Sequence, residues 1–157
     1  MTKEELLEAL EQFDSEDLTT ALKAAEASRK TRRQGAYFLQ NFFEETRVQG
    51  NERGTEITMP ITPLVMNPGH MAHGGVIAFL CDNAMGMASF MEKQRPGVTM
   101  DLTVRYHKPL RGSFATARGE VVSSGSRINS TRCECRDETG TLVATATGSF
   151  YHFALTR

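Results

Sequence analysis

The sequence predicts an α+β fold in which one twisted antiparallel sheet wraps around a single buried helix. Three observations predict it. The stretch Asn67 to Met91, NPGHMAHGGVIAFLCDNAMGMASFM, turns apolar on every side after His73-Gly74-Gly75, and a helix apolar all round is either a membrane span or the centre of a core. From Val98 to Phe153 the chain reads as four strands in meander order, punctuated by turn residues. Ahead of the helix, Glu56-Ile57-Thr58-Met59 alternates polar and apolar as a half-buried strand does. The central run is nearly long enough to cross a bilayer. Asp82 and Asn83, with Gly86 inside it and two glycines before it, argue for a core helix and against a membrane span.

The elements follow in order. Thr2 and Glu5 form a capping box for a helix over residues 3–13 with Leu6, Leu7, Leu10 and Phe13 on one stripe. Ser15 caps a second helix with Leu18, Ala21, Leu22 and Ala25 inward, and the basic run Arg29 to Arg33 reads as a solvated face. Tyr37, Phe38, Phe42 and Phe43 crowd into a short helix. Glu44 to Val48 reads as a short strand, Gln49 to Gly54 as a turn, and Pro60 and Pro63 end the strand that follows. Arg95-Pro96-Gly97 stops the central helix. In the next strand Val98, Met100, Leu102, Val104 and Tyr106 share one face, with Thr99, Asp101, Thr103, Arg105 and His107 on the other. Strands over 113–124, 127–136 and 141–153 complete the sheet, the last two joined through Asp137-Glu138-Thr139-Gly140. Residues 1–35 read as a helical extension and residues 36–157 as the main domain.

The 157 residues carry a net charge of −1, which gives no electrostatic basis for nucleic-acid binding. The acidic, amphipathic start does not resemble a signal peptide. Three cysteines, Cys81, Cys133 and Cys135, form no disulfide framework and fit a reducing cytoplasm. No metal-binding spacing occurs, so neither a metal nor another cofactor is expected.

The chemistry concentrates in the central stretch. Asp82 is a carboxylate in the middle of an apolar helix, where its charge is costly without partners, and a perturbed carboxylate in a cavity is a functional candidate. Gly74 and Gly75 let a ligand approach the backbone, and the first N–H groups of a helix suit an anion or a developing oxyanion. The eight residues from Gly74 to Asp82 span about 12 Å of helix axis. That is too far to act on one carbonyl, so a site using both requires the carboxylate of a second copy, as a symmetric dimer with antiparallel helices provides.

From about Phe38 to Phe153 the chain resembles the PaaI-like hotdog thioesterases, with an acyl-CoA thioesterase 13-like pattern. The resemblance rests on Asn67, His73-Gly74-Gly75, Asp82, Thr99 ahead of Asp101, and Gly140 to Phe150, GTLVATATGSF. It implies hydrolysis of acyl- or aryl-CoA to free acid and CoA. By position, Asp82 would be the nucleophile or the general base for water. Gly74 N–H would polarise the thioester carbonyl, Asn67 would orient water or thioester, His73 would steady the loop, and Thr99 would hydrogen-bond the water or Asp82. Gly75, together with Gly125, Ser126 and Arg127, would meet the CoA portion, with Arg105, Lys108 and Arg111 as rival candidates for its phosphates. Relatives pair as homodimers across the active site and commonly form homotetramers. CoA enters only as part of the substrate. Two rivals remain: a hotdog hydratase or dehydratase using His73 and Asp82, which lacks an H-F-P-type segment here, and a non-catalytic acyl-CoA-binding protein, which has no need of Asn67, Asp82 and Thr99 together.

Overall fold

The computed structural model describes residues 2–34, 37–51 and 54–153, with the backbone alone described at 47–49 and 51. The chain divides into two compact units, Met1–Glu45 and Thr46–Arg157.

In the first unit α1 spans Lys3–Leu10, α2 Ser15–Gln34 and α3 Phe38–Phe42. The expected capping box forms. Glu5 N–H donates to Thr2 Oγ1 at 3.1 Å, and Thr2 N–H donates to the Glu5 carboxylate at 2.7 Å. The cap of α2 differs from expectation. Asp14, not Ser15, takes the N–H groups of Glu16 and Asp17, at 2.8 and 2.9 Å, because a carboxylate also complements the positive end of the helix dipole. The basic run Arg29 to Arg33 continues α2 to Gln34. Asn41 Nδ2 donates to Thr31 Oγ1 at 3.0 Å, and Lys23 pairs with Glu44 at 2.9 Å, tying α2 to α3 and the residues after it.

The second unit is one six-stranded antiparallel sheet and one long helix: β1 Thr46–Asn51, β2 Gly54–Pro60, α4 Gly74–Lys93, β3 Gly97–Tyr106, β4 Phe114–Ser124, β5 Ile128–Asp137 and β6 Leu142–His152. This is the hotdog arrangement. β1 runs to Asn51, longer than the expected strand, and the residues between β1 and β2 lie outside the described set. Strand order is β1-β2-β4-β5-β6-β3, which corrects the meander. β3 pairs with β6 at the far edge, and β4 pairs with β2. Residues 107–113 separate β3 from β4, a longer link than the two to five residues of a tight hairpin.

The helix crosses the inner face of the sheet. Ile77, Leu80, Cys81, Ala84, Met85 and Ala88 of α4 are buried, over Ile57, Met59, Ala115, Ala117, Cys133, Cys135, Ala144 and Ala146. The helix comes close to the sheet at Gly119, where a Cβ would stand 2.4 Å from the backbone carbonyl of Ala84. Only glycine admits the helix at that distance. Gln94 closes α4 in the left-handed region, at φ 53°, ahead of Pro96. Among the described residues α4 alone is long and apolar enough to cross a membrane by length and composition, and its buried side lies on the sheet. The expectation of burial on most sides is too strong: Phe90 and Met91 are exposed.

A β-bulge changes the expected faces of β3. Thr99 pairs with Phe150 and Asp101 with Ser149, so Met100 is the extra residue. Leu102, Val104 and Tyr106 then pair with Gly148, Ala146 and Ala144. Residues directly opposed across an antiparallel pair share a face. Thr99 therefore lies on the helix side together with Leu102, Val104 and Tyr106, although simple alternation places it opposite them. Bulges re-aim side chains in this way beside functional sites.

Candidate active site

The central helix begins on a loop built to present its first turn. Asn67 and Met71 close the loop through Asn67 N–H to Met71 O at 2.8 Å, and Asn67 Oδ1 accepts Gly69 N–H at 2.8 Å. His70, at φ 53°, makes the tight return. His73 is the N-cap of α4, and its Nδ1 accepts Gly75 N–H at 3.0 Å. That bond occupies the Gly75 N–H and leaves Gly74 N–H, on a half-buried residue, as a helix-end donor with no partner among the described residues. The donor is favoured for an anion by the helix dipole. Beside it lies an open pocket of ≈ 310 Å³, lined by Met71, Ala72, Gly74 and Ile77 from the loop and helix and by Tyr106 to Leu110.

A second group forms halfway along the helix. Thr99 Oγ1 donates to Asp82 Oδ1 at 3.0 Å, a contact that exists only because the bulge at Met100 turns Thr99 inward. Burial raises the Asp82 carboxyl above its ordinary value, and the Thr99 hydroxyl pulls it partly back. A carboxylate held in this balance is suited to take a proton. Asp82 is about 12 Å along the axis from Gly74. Within one chain the structure brings Asp82 and Thr99 together, and sets His73, Gly74 and Gly75 at the head of α4 with Asn67 in the loop before it, but it does not join the two groups.

Gly125, Ser126 and Arg127 form the β4–β5 turn beside the C-terminal end of α4. Gly125 O accepts from Lys93 Nζ, and Ser126 O accepts from Arg95 at 3.0 Å. Arg127 donates to Tyr151 Oη at 3.1 Å. The turn thus gathers Lys93 and Arg95 beside Arg127, the cation expected there from the sequence. Helix geometry puts the Lys93 end of α4 about 28 Å from Gly74 in the same chain.

The thiols take no part in this chemistry. Cys81, Cys133 and Cys135 are free and buried. The thiol contact with Cys133, then burial, pushes Cys81 up; the contact with Cys81, then burial, pushes Cys135 up. Both stay protonated and unreactive. Among the described residues no group of three or more His, Cys, Asp or Glu side chains is arranged to hold a metal.

Known proteins share this framework. Residues 69–144 match the model of the thioesterase superfamily. That segment runs from the loop before His73 to the start of β6, so it includes Asp82, Thr99 and Tyr106. A Bacillus halodurans protein crystallised with CoA superposes at a TM-score of 0.79 with 29% identity, over 94% of this chain and 99% of that one. A thioesterase from Haemophilus influenzae shares the fold at a TM-score of 0.71 and 22% identity, over 76% of this chain and 85% of its own. A Saccharolobus solfataricus protein, named as an esterase by inference, is 28% identical over 111 residues, covering 69% of this chain and 79% of its own.

Proposed function

We propose that the protein is an acyl-CoA thioesterase of the PaaI-like type, acting as a homodimer, or a pair of dimers, in a reducing cytoplasm. The observation that carries the reading is the Asp82–Thr99 pair at 3.0 Å on a helix whose first turn offers an unoccupied N–H at Gly74. A thioester is already activated. One carboxylate to attack it or to draw a proton from water, and one donor for the carbonyl oxygen, are enough chemistry. The match of residues 69–144 to the thioesterase superfamily supports the reaction class, and the CoA-bound relative supports the kind of substrate.

The two groups meet when a second copy lies antiparallel along α4, so that the partner's Asp82 faces this chain's Gly74. β3 supports this mode of pairing. It is an edge strand exposed along nearly its whole length, with Met100 at 56% and Val98 at 48% exposure. Exposed apolar edges call for a partner. Asn67 keeps its Nδ2 group for the water or the thioester, since its Oδ1 is bound to Gly69. Gly125, Ser126 and Arg127, with Lys93 and Arg95, would meet the phosphates of CoA. No cofactor enters the reaction.

The test is thiol release from a panel of acyl- and aryl-CoA esters by wild type and Asp82→Asn. Turnover that falls by about 10²-fold or more in the variant is the expected result. Wild type that binds acyl-CoA without hydrolysing it would establish a binding protein instead. Turnover unchanged in Asp82→Asn would remove Asp82 from the chemistry.

A further inference from the structure

The first peptide of α4 is held from both ends. Its carbonyl, Gly74 O, accepts the Tyr106 hydroxyl at 2.8 Å. Its amide, Gly75 N–H, donates to His73 Nδ1 at 3.0 Å. Tyr106, the Gly74–Gly75 peptide and His73 form one chain of hydrogen bonds, O–H to O=C, then N–H to Nδ1. Each bond in such a chain polarises the next. The ring packs as closely as the bond requires: a Cβ on Gly74 would meet Tyr106 Cζ at 3.3 Å and Oη at 3.4 Å.

The end of the chain fixes a tautomer. An imidazole nitrogen that accepts a hydrogen bond carries no proton, so neutral His73 holds its proton on Nε2. His73 is exposed at the head of the helix, one residue before Gly74. Nε2–H is then left free to donate from the exposed ring, one residue from the Gly74 N–H. Tyr106 itself reaches the peptide because it lies opposite Ala144 on the helix side of the sheet.

We propose that Tyr106 is a positioning residue of the active site: through the Gly74–Gly75 peptide it holds His73 in the Nε2–H tautomer and fixes the Gly74 N–H, so that two donors converge on the reacting carbonyl. This rests on the thioesterase reading for its catalytic meaning, but the clamp is a property of the free protein. It assigns His73 the role of a donor set by its neighbours, which makes it unsuited to act as a base through Nδ1.

The test pairs two measurements on Tyr106→Phe, which keeps the ring and removes the hydroxyl. Nitrogen-15 NMR of the His73 imidazole, at pH about 8.5 where imidazole is neutral, reads the tautomer without any substrate. Steady-state hydrolysis of a CoA thioester reads the chemistry. The expected result is an Nε2–H tautomer in wild type that becomes a mixture in the variant. With it, kcat falls by about 5- to 10-fold, the loss of roughly one neutral hydrogen bond, while KM changes by less than about twofold and the thermal midpoint holds. A His73 tautomer that is the same in both proteins, or a kcat that the substitution leaves alone, overturns the proposal. Wild type that hydrolyses no thioester overturns the thioesterase reading instead, and the NMR measurement still decides whether Tyr106 sets the imidazole.

Discussion

Replacing Gly119 by Ala tests the link between the packing of the helix and the chemistry on it. The new methyl would stand 2.4 Å from both C and O of Ala84 and 2.5 Å from N of Met85, whereas ordinary contact begins at 3.4 Å. All three atoms are backbone, so no side chain can turn aside, and α4 must back away from β4 by about 1 Å. Overpacking of this kind costs about 1–3 kcal/mol, which urea denaturation measures as a lower midpoint at unchanged slope. Asp82 is two residues before Ala84 and moves with it. Its 3.0 Å bond to Thr99 on β3 then stretches toward 4 Å, beyond hydrogen-bond range, and a misplacement near 1 Å at a reacting group can cost about 10²-fold in kcat. Adding Ala84→Gly should rescue neither property, because the contacts are with backbone. Wild-type stability and turnover in Gly119→Ala would refute the close seating of α4 on β4. Recovery on adding Ala84→Gly would show that a side chain, not the backbone, carries the contact.

Thr99→Val removes the hydroxyl that favours the charged form of Asp82. The Asp82 carboxyl then rises further, and on the proposed mechanism the acid limb of the kcat/KM profile should move to higher pH than in wild type. The same shift sets the sign for stability. A carboxyl raised by folding binds its proton more tightly in the native state, so Asp82 weakens the fold as pH rises from 3.8 through its native value, and Asp82→Asn at pH 7 should melt no lower than wild type. Lysines at Val98 and Met100, which are exposed on the β3 edge, should give a monomer by light scattering with turnover lost and the Asp82–Thr99 pair intact, since a charged edge resists pairing. His152→Phe breaks a buried network in which Ser89 Oγ meets His152 Nε2 at 2.8 Å and Asn129 donates to Ser89 at 3.0 Å. The unpaired groups should cost about 1–3 kcal/mol by denaturation, with turnover per folded molecule preserved.

What could be read from the sequence was local. The capping box at Thr2 and Glu5, the all-round apolar run from Val76, the stop at Arg95-Pro96-Gly97 and the turn through Gly140 each depend on residues within a few positions of one another, and each appears where its chemistry requires. Strand order did not follow, because pairing β3 with β6 is decided by a helix crossing the sheet and by the long link of residues 107–113. Asp82 stood out because a lone carboxylate on an apolar helix contradicts its surroundings. Its partner was harder to place. Period-two alternation puts Thr99 and Tyr106 on opposite faces of β3, and nothing in the residue types marks Met100 as the one left unpaired. The bulge is a property of the register with β6, where Thr99 faces Phe150 and Asp101 faces Ser149. That one-residue slip puts both residues on one face, so that Thr99 is aimed at Asp82 in the middle of α4 while Tyr106 is aimed at Gly74 at its head. A regular β3 could supply one of these contacts but not both. Deleting Met100 should therefore sever one of the two while the rest of the sheet persists.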